Sequence, residues 1–216
     1  MATMIKETEG VKFEIRPDSN DSVLVNRIVN ENVYQVPLNM KHQVFIDVGA
    51  HIGTFSVLVG SRGGRGYAIE PYSQNFHLLE KNIRINNLQD KVKCLNVGIG
   101  LGGMRKLFLN SSRPDWSSLD LSINELNDKL YEEVQTVSLS SIFEKEKIKH
   151  CNFLKLDCEG AEQEIIEEIV AGLHFKIDLV VAEFHRANLQ EKQIKKLQRF
   201  YSSVIKISGW ELIFKK

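Results

Sequence analysis

VFIDVGAHIG, residues 44–53, is the stretch whose reading decides the fold. Val44, Phe45 and Ile46 form an apolar run, Asp47 closes it, and a turn of small residues runs from Gly49 to Gly53. Beyond the turn, Phe55, Leu58 and Val59 share one face at helical spacing. Strand, acid, glycine turn and helix, in that order, is how an α/β sheet opens a nucleotide-type pocket. Glycine at 49 admits turn angles that a side chain forbids. Glycine at 53 lets helix and strand, or ligand and backbone, approach closely. A dinucleotide fingerprint, G-x-G-x-x-G, would need glycine where His51 and Thr54 stand. Its second glycine makes room for a pyrophosphate, and His51 fills that room. The loop therefore suits a nucleoside ligand without pyrophosphate, with S-adenosylmethionine the candidate.

Glu70 strengthens that reading, because it follows a second short apolar run, Tyr67–Ile69. A carboxylate ending the second strand accepts hydrogen bonds from both ribose hydroxyls of such a ligand. In open α/β sheets, ligands bind at the carboxyl ends of the strands. Those ends are Asp47–Gly53, which includes Ala50 and His51, then Glu70, Asn96–Gly98, Asp157–Gly160 and Glu183–His185. Asn96 and Gly98 offer side-chain and backbone contacts to an adenine. Asp157 ends an apolar strand, where a carboxylate binds an ammonium, orients an acceptor hydroxyl or takes its proton. Lys155, between Leu154 and Leu156, is placed to pair with it. Glu159 either joins that chemistry or caps the helix that follows. Glu183 and His185 point the same way along their strand. His185 is a candidate general base, with a rim histidine bonded to solvent as its alternative. His51, in the glycine loop, is placed to contact the amino-acid end of such a ligand or the acceptor. His42, His77, His150 and His174 read as surface, and the lysine-rich runs 145–149 and 192–196 as solvated helix faces. The His and Asp spacings make no metal-ligand set.

On DVGAHIG (47–53), IEPYSQNFHLLEKNIRINNL (69–88), FLKLDCEGAEQEII (153–166) and VVAEFH (180–185), the chain resembles the FkbM-type S-adenosylmethionine-dependent methyltransferases. EIRPDSNDSVLVNRIVNENVYQVP (14–37) is similar to that family's lead-in, and the resemblance extends from residue 11 to residue 185. It implies a Rossmann-like class I α/β fold, with a mostly parallel seven-stranded sheet, helices on both faces and a C-terminal antiparallel hairpin. It implies methyl transfer to a hydroxyl of a small molecule or glycan, without a metal. Two departures stand out. Members often carry Asn at the position of His51, so the resemblance implies that His51 binds rather than catalyses, and they often carry an acid soon after the third strand, where this chain has Ile99-Gly100-Leu101. The competing classes are a nicotinamide oxidoreductase, a nucleic-acid or protein methyltransferase, and a non-catalytic nucleoside-binding module. His51 and Thr54 disfavour the first. Neutral charge and the lack of an Asn-Pro-Pro-aromatic motif disfavour a nucleic-acid substrate.

Length and composition set the outer bounds. A chain of 216 residues suits one domain, divided as a lead-in (1–42) and a methyltransferase domain (43–216). Lys and Arg number 28, as do Asp and Glu, so no global field steers the chain to nucleic acid or an anionic membrane. Cys94, Cys151 and Cys158 read as free thiols of a reducing compartment. MATMIKETEG is charged where a signal peptide is apolar, and no run is long enough to span a bilayer, so the expected location is the cytoplasm.

Locally, residues 1–10 read as a frayed tail and 11–16 as a half-buried strand. Asp21 or Ser22 is the expected cap of a short helix carrying Val25, Ile28 and Val29. Arg16 and Tyr34 read as surface packing, with cofactor or substrate contact as the alternative. Residues 110–130 read as a lid or binding loop. Ser208-Gly209 reads as a hairpin turn. S-adenosylhomocysteine is expected to bind and NAD is not. Glu70→Ala should weaken the first by two charge-assisted hydrogen bonds, each about 1.5–3 kcal/mol, and calorimetry showing unchanged affinity would refute the ribose assignment.

Overall fold

The computed structural model describes residues 2–110, 117–119, 130–158, 161–172, 175–184, 187–207 and 211–216, the side chains of 187–190 excepted. The chain opens with β1 (Met4–Thr8), β2 (Val11–Ile15), α1 (Asp21–Val25) and a π-helical turn, Asn26–Asn30. β3 (Val44–Val48), α2 (Thr54–Ser61), β4 (Arg65–Ile69), α3 (Ser73–Ile85) and β5 (Val92–Leu95) follow. Next come β6 (Gly98–Ile99), β7 (Gly103–Leu109), β8 (Ser117–Ser118) and β9 (Tyr131–Val137). The last third holds α4 (Leu139–Lys145), β10 (His150–Leu156), α5 (Glu162–Val170), β11 (Lys176–Glu183), α6 (Ala187–Leu197), β12 (Ser203–Lys206) and β13 (Glu211–Lys215).

One seven-stranded sheet runs in the order β12-β13-β11-β10-β3-β4-β5. β11, β10, β3, β4 and β5 are parallel to one another, and β13 is antiparallel to both its neighbours. Near-continuous apolar runs are what a parallel sheet covered on both faces requires. Side chains alternate across it. Phe45, Phe153, Val181 and Ile213 join one buried cluster, with Phe13, Val25 and Phe55. Ile46, Leu154, Val180 and Phe214 join the other, with Ile142, Ile165 and Leu197. Phe55 is the hub of the first, its ring centroid 6.0 Å from that of Phe45, 5.2 Å from Phe153 and 5.7 Å from Tyr34. The class I architecture expected from the sequence is therefore present.

The lead-in differs from its sequence reading. Met4–Thr8 is not frayed but pairs antiparallel with β2, from Met4 opposite Ile15 to Thr8 opposite Val11. Glu9 and Gly10 turn the chain with φ of +48° and +76°, and Lys6 Nζ donates to the Ser22 carbonyl and hydroxyl at 2.9 and 2.8 Å. The strand was hidden because its side chains are largely exposed, Met4 and Ile5 among them, so no apolar alternation marks it. Asn20, not Asp21 or Ser22, holds the cap position of α1, and its side chain makes no capping bond. Tyr72 holds the cap position of α3, and the Ser73 hydroxyl donates to Glu132 at 2.8 Å. Arg16 and Tyr34, read as surface, are 2% and 4% exposed.

A second, four-stranded sheet, β6-β9-β7-β8, stands beside the first and was not anticipated. Met104–Leu109 and Val134–Leu139 read as extended in sequence and form most of β7 and the end of β9, but β6 and β8 are only two residues long and look like loop, so the sheet they complete leaves no pattern. Most of the expected lid, and the Ser208-Gly209 turn, lie outside the described residues. Among the described residues, no helix is long and apolar enough to cross a membrane.

Close strand packing sets one sharp test. Gly66 faces Phe45 across β3 and β4, and a Cβ there would stand 2.0 Å from the Phe45 carbonyl oxygen. Gly66→Ala is expected to destabilise the protein by about 3 kcal/mol through overpacking. Gly172→Ala, at φ +92° with open space around it, should cost only about 1–2 kcal/mol. Denaturant titration of the two variants checks the order.

Candidate functional site

A cavity of about 390 Å³ opens at the carboxyl ends of β3, β4, β10 and β11. Gly49, His51, Glu70, Gly98, Asp157 and Glu183 line it, together with apolar Val48, Ile69, Val97, Ile99, Leu107 and Leu119. Asn20, Val23, Leu24 and Arg27 supply a further wall from the lead-in. Asp47, Ala50, Gly53 and Asn96, also expected at the site, stand outside this lining.

Asp47 shows why. It is fully buried, its Oδ1 accepting from Lys155 Nζ at 3.0 Å and its Oδ2 from the Ser56 hydroxyl at 2.8 Å. Lys155 Nζ donates also to the Gly49 carbonyl at 3.0 Å, and lies 3.6 Å from Asp157 Oδ2. The ion pair expected between Lys155 and Asp157 is thus shared, with the shorter arm going to Asp47. Burial works against the ammonium charge, but Asp47 and Asp157 outweigh it and hold the Lys155 pKa above its ordinary value. The glycine turn rests on this pair. At Gly49, φ is +76° and a Cβ would fall 1.7 Å from the Asp157 carbonyl oxygen, so the close approach there is to protein backbone. At Gly53, φ is +86° and a Cβ would meet Leu79 Cδ1 at 2.6 Å. The Gly49 and Ala50 N–H groups donate to the Ile69 carbonyl at 3.0 and 2.9 Å, which ties the turn to β4.

Glu70 faces the cavity but is only 4% exposed. The N–H of Tyr72 donates to its Oε1 at 3.0 Å and that of His51 to its Oε2 at 2.8 Å. Burial pushes the carboxyl up to about 7, against the pull of these bonds and that of the Asn75 side chain. Asn96 braces the turn from behind, its Nδ2 donating to the carbonyls of Glu70 and Pro71 at 2.9 and 3.0 Å.

A polar network escaped the sequence reading. Arg16 holds Asp21 with both arms, Nε to Oδ2 and Nη2 to Oδ1, each at 2.9 Å. Its Nη1 donates to Asn75 Oδ1 and its Nη2 meets His51 Nε2, again at 2.9 Å. A guanidinium has no acceptor, so His51 Nε2 accepts and the ring proton sits on Nδ1. The lead-in is thereby fastened to the glycine turn and to α3. Its only sequence signal was the polar run RPDSND (16–21), which reads equally well as a plain turn.

At the cavity's other end, Arg27 donates to both carboxylate oxygens of buried Glu211 at 2.8 and 3.0 Å. Glu211 is the cross-strand partner of Glu183. Asp157 lines the cavity with its side chain 27% exposed. Glu159 and His185 lie outside the described residues. Among the described residues, no group of three or more His, Cys, Asp or Glu is placed to hold a metal ion.

The Methyltransferase FkbM domain profile matches residues 47–207. The chain belongs to the FkbM methyltransferase domain family. The family, the enzyme class and the S-adenosylmethionine cofactor expected from the sequence all stand on that match. No curated protein matches the chain significantly. Solved structures share the fold with this FkbM domain at low identity. The Pyrococcus abyssi tRNA (uracil-54, C5)-methyltransferase, in complex with S-adenosyl-L-homocysteine, is 10% identical over 99% of this chain and 43% of its own, with a TM-score of 0.51. The METTL16 MTase domain is 15% identical over 89% and 65%, with a TM-score of 0.50. Trm5b from Pyrococcus abyssi is 10% identical over 98% and 54%, also at 0.50. The chain thus spans less than two thirds of each of these proteins.

Lys155→Met should leave Asp47 as a buried charge without its cation, at a cost of about 3–5 kcal/mol. Adding Asp47→Leu should recover part of that loss, and urea unfolding of the single and double variants checks it.

Proposed function

We propose that this domain transfers the methyl group of S-adenosylmethionine to a hydroxyl of a small molecule or glycan. The observation that carries the reading is one cavity walled by two strand-end carboxylates, Glu70 and Asp157. The residues present fit the cofactor. The cavity has the size of small-molecule sites, roughly 300–1,000 Å³. Val97, Ile99 and Leu119 give an apolar wall suited to a flat base. Gly98 lets that wall pack closely, because a Cβ there would approach Thr136 Cγ2 at 3.1 Å and Leu119 Cδ1 at 3.3 Å. When bound, the cofactor supplies a methyl group on a sulfonium whose leaving thioether is neutral.

The protein's part is then placement and one proton. Glu70 accepts from the ribose hydroxyls with the lone-pair capacity that its bonds from His51, Tyr72 and Asn75 leave free. His51, Gly49 and the α2 entry hold the amino-acid end. Asp157 orients the acceptor hydroxyl and takes its proton, steadied by Lys155. Glu159 and His185 are the other candidates for that base. Asn20, Val23, Leu24 and Arg27 of the lead-in complete the acceptor wall as part of the same domain, and Asn96 acts by holding the Glu70 turn. The cavity wall carries Arg27 against Asp157 and Glu183, an acidic balance that favours an uncharged hydroxyl over a phosphate-rich acceptor.

Two measurements test this. Ribose hydroxyls donate to a carboxylate, so protonating Glu70 removes an acceptor. Since burial raises Glu70 to about 7, S-adenosylhomocysteine affinity should climb as pH rises toward 7 and level off above it. Calorimetry across pH 5.5–8.5 should show that rise in the wild type and lose it in Glu70→Gln. Asp157→Asn should keep most of the cofactor affinity while turnover falls by about 10²–10⁴ on an acceptor found by screening extract fractions and RNA. A steep loss in His185→Ala with a mild Asp157→Asn would move the base to the histidine. Methylation of RNA alone would contradict the acceptor class.

A further inference from the structure

The amino ends of the same strands carry a second concavity that methyl transfer does not use. It measures about 570 Å³ and lies where β3, β4, β5 and β10 begin, with Val44, Gly66, Tyr67 and Ile148 among its walls. Five cationic side chains line it: Arg65, Lys91, Lys93, Lys147 and Lys149. They come from three separate segments, the start of β4, the entry to β5 and the turn between α4 and β10. Asp90 and Glu146 are the carboxylates of the lining, and Glu146 is engaged by Lys93 at 2.9 Å to each oxygen. Among the described residues, Arg65, Lys147 and Lys149 make no ion pair. His150 closes the basin and is bound to Asp178 at 2.6 Å.

Gathering like charges costs energy, and this chain has no net charge to place. The negative end of α4 explains a nearby lysine or two. It does not reach Arg65, Lys91 and Lys93, which enter from the sheet. Lys147 adds a second cost. Its φ is +55°, in the place just past α4 where glycine is usual. The closing bonds are Lys147 N–H to the Glu144 carbonyl at 3.2 Å and Ile148 N–H to the Phe143 carbonyl at 2.8 Å. Lys147 thus stands where glycine would be free of backbone strain.

We propose that this basin is an anion site for ligands that carry phosphate groups. Arg65 offers a forked donor and the lysines offer point charges, the usual means of holding phosphate oxygens. The half-buried Tyr67 ring gives a surface on which an attached base can stack. The site lies about 16 Å from the methyl-transfer cavity, the length of a five-residue strand, and is independent of the acceptor proposed there.

Calorimetry of the whole chain with tripolyphosphate and with a short single-stranded oligoribonucleotide tests the proposal. Tripolyphosphate should bind the wild type, more weakly as salt is raised. Lys147→Gln combined with Lys149→Gln should weaken it about tenfold, the equivalent of one charge-assisted contact. Lys192→Gln combined with Lys206→Gln, on α6 and the far edge strand β12, removes as much charge elsewhere and should change little. Lys147→Gly removes the charge and the backbone strain together. It should weaken phosphate binding while the thermal midpoint holds or rises, which separates binding from folding. If the oligoribonucleotide binds more tightly through the same lysines, a nucleic-acid strand is the source of the phosphate; if tripolyphosphate does, a free polyphosphate compound is. Absence of binding at low salt, or equal weakening in the basin and control variants, would overturn the site.

Discussion

The bond between Lys155 and Asp47 is the constraint on which the rest of the structure depends. The two are register partners in adjacent parallel strands at the centre of the sheet, and both are buried. Charges in such a place are costly unless paired and fully hydrogen-bonded. Here the ammonium is met by Asp47, the Gly49 carbonyl and Asp157, and Asp47 also by the Ser56 hydroxyl. One cation therefore fixes the end of β3, the start of the glycine turn and the end of β10 against one another. The Asp157 backbone then passes so close to Gly49 that only glycine fits. Two of the four strand ends around the cavity are held together by that cation.

From there the site extends through hydrogen bonds rather than through packing. The glycine turn presents the His51 N–H to Glu70, Tyr72 supplies a second N–H, and Asn75 joins Glu70 to Arg16. Arg16 brings Asp21 and with it the helix that forms one wall of the cavity. The lead-in is in this sense built into the site: its apolar side chains share a cluster with α2 and α3, and its charged ones reach the glycine turn.

Much of this was legible in the sequence. The parallel strands announce themselves as apolar runs, and the acid, glycine turn and Glu70 mark the strand ends where the cavity lies. What stayed hidden has physical reasons. β1 exposes most of its side chains, so its pairing leaves no periodic trace. The second sheet uses two-residue strands, shorter than any pattern. The buried ion pair of Asp47 is not legible, because its partner lies 108 residues away in sequence, on a strand whose lysine reads as the partner of Asp157. Arg16 was discounted as surface because an arginine beside Pro17 and Asp18 normally is. The lysines around 147 looked like a solvated face, and only folding brings Arg65 and Lys93 to the same concavity.

A crystal structure of the protein with S-adenosylhomocysteine would test the central claim most directly. The account predicts both ribose hydroxyls within hydrogen-bond distance of Glu70, the adenine against Val97 and Ile99, and the sulfur on the Asp157 side of the cavity. A ligand seated elsewhere, or in the cavity with Glu70 still bonded only to the His51 and Tyr72 N–H groups and Asn75, would contradict it.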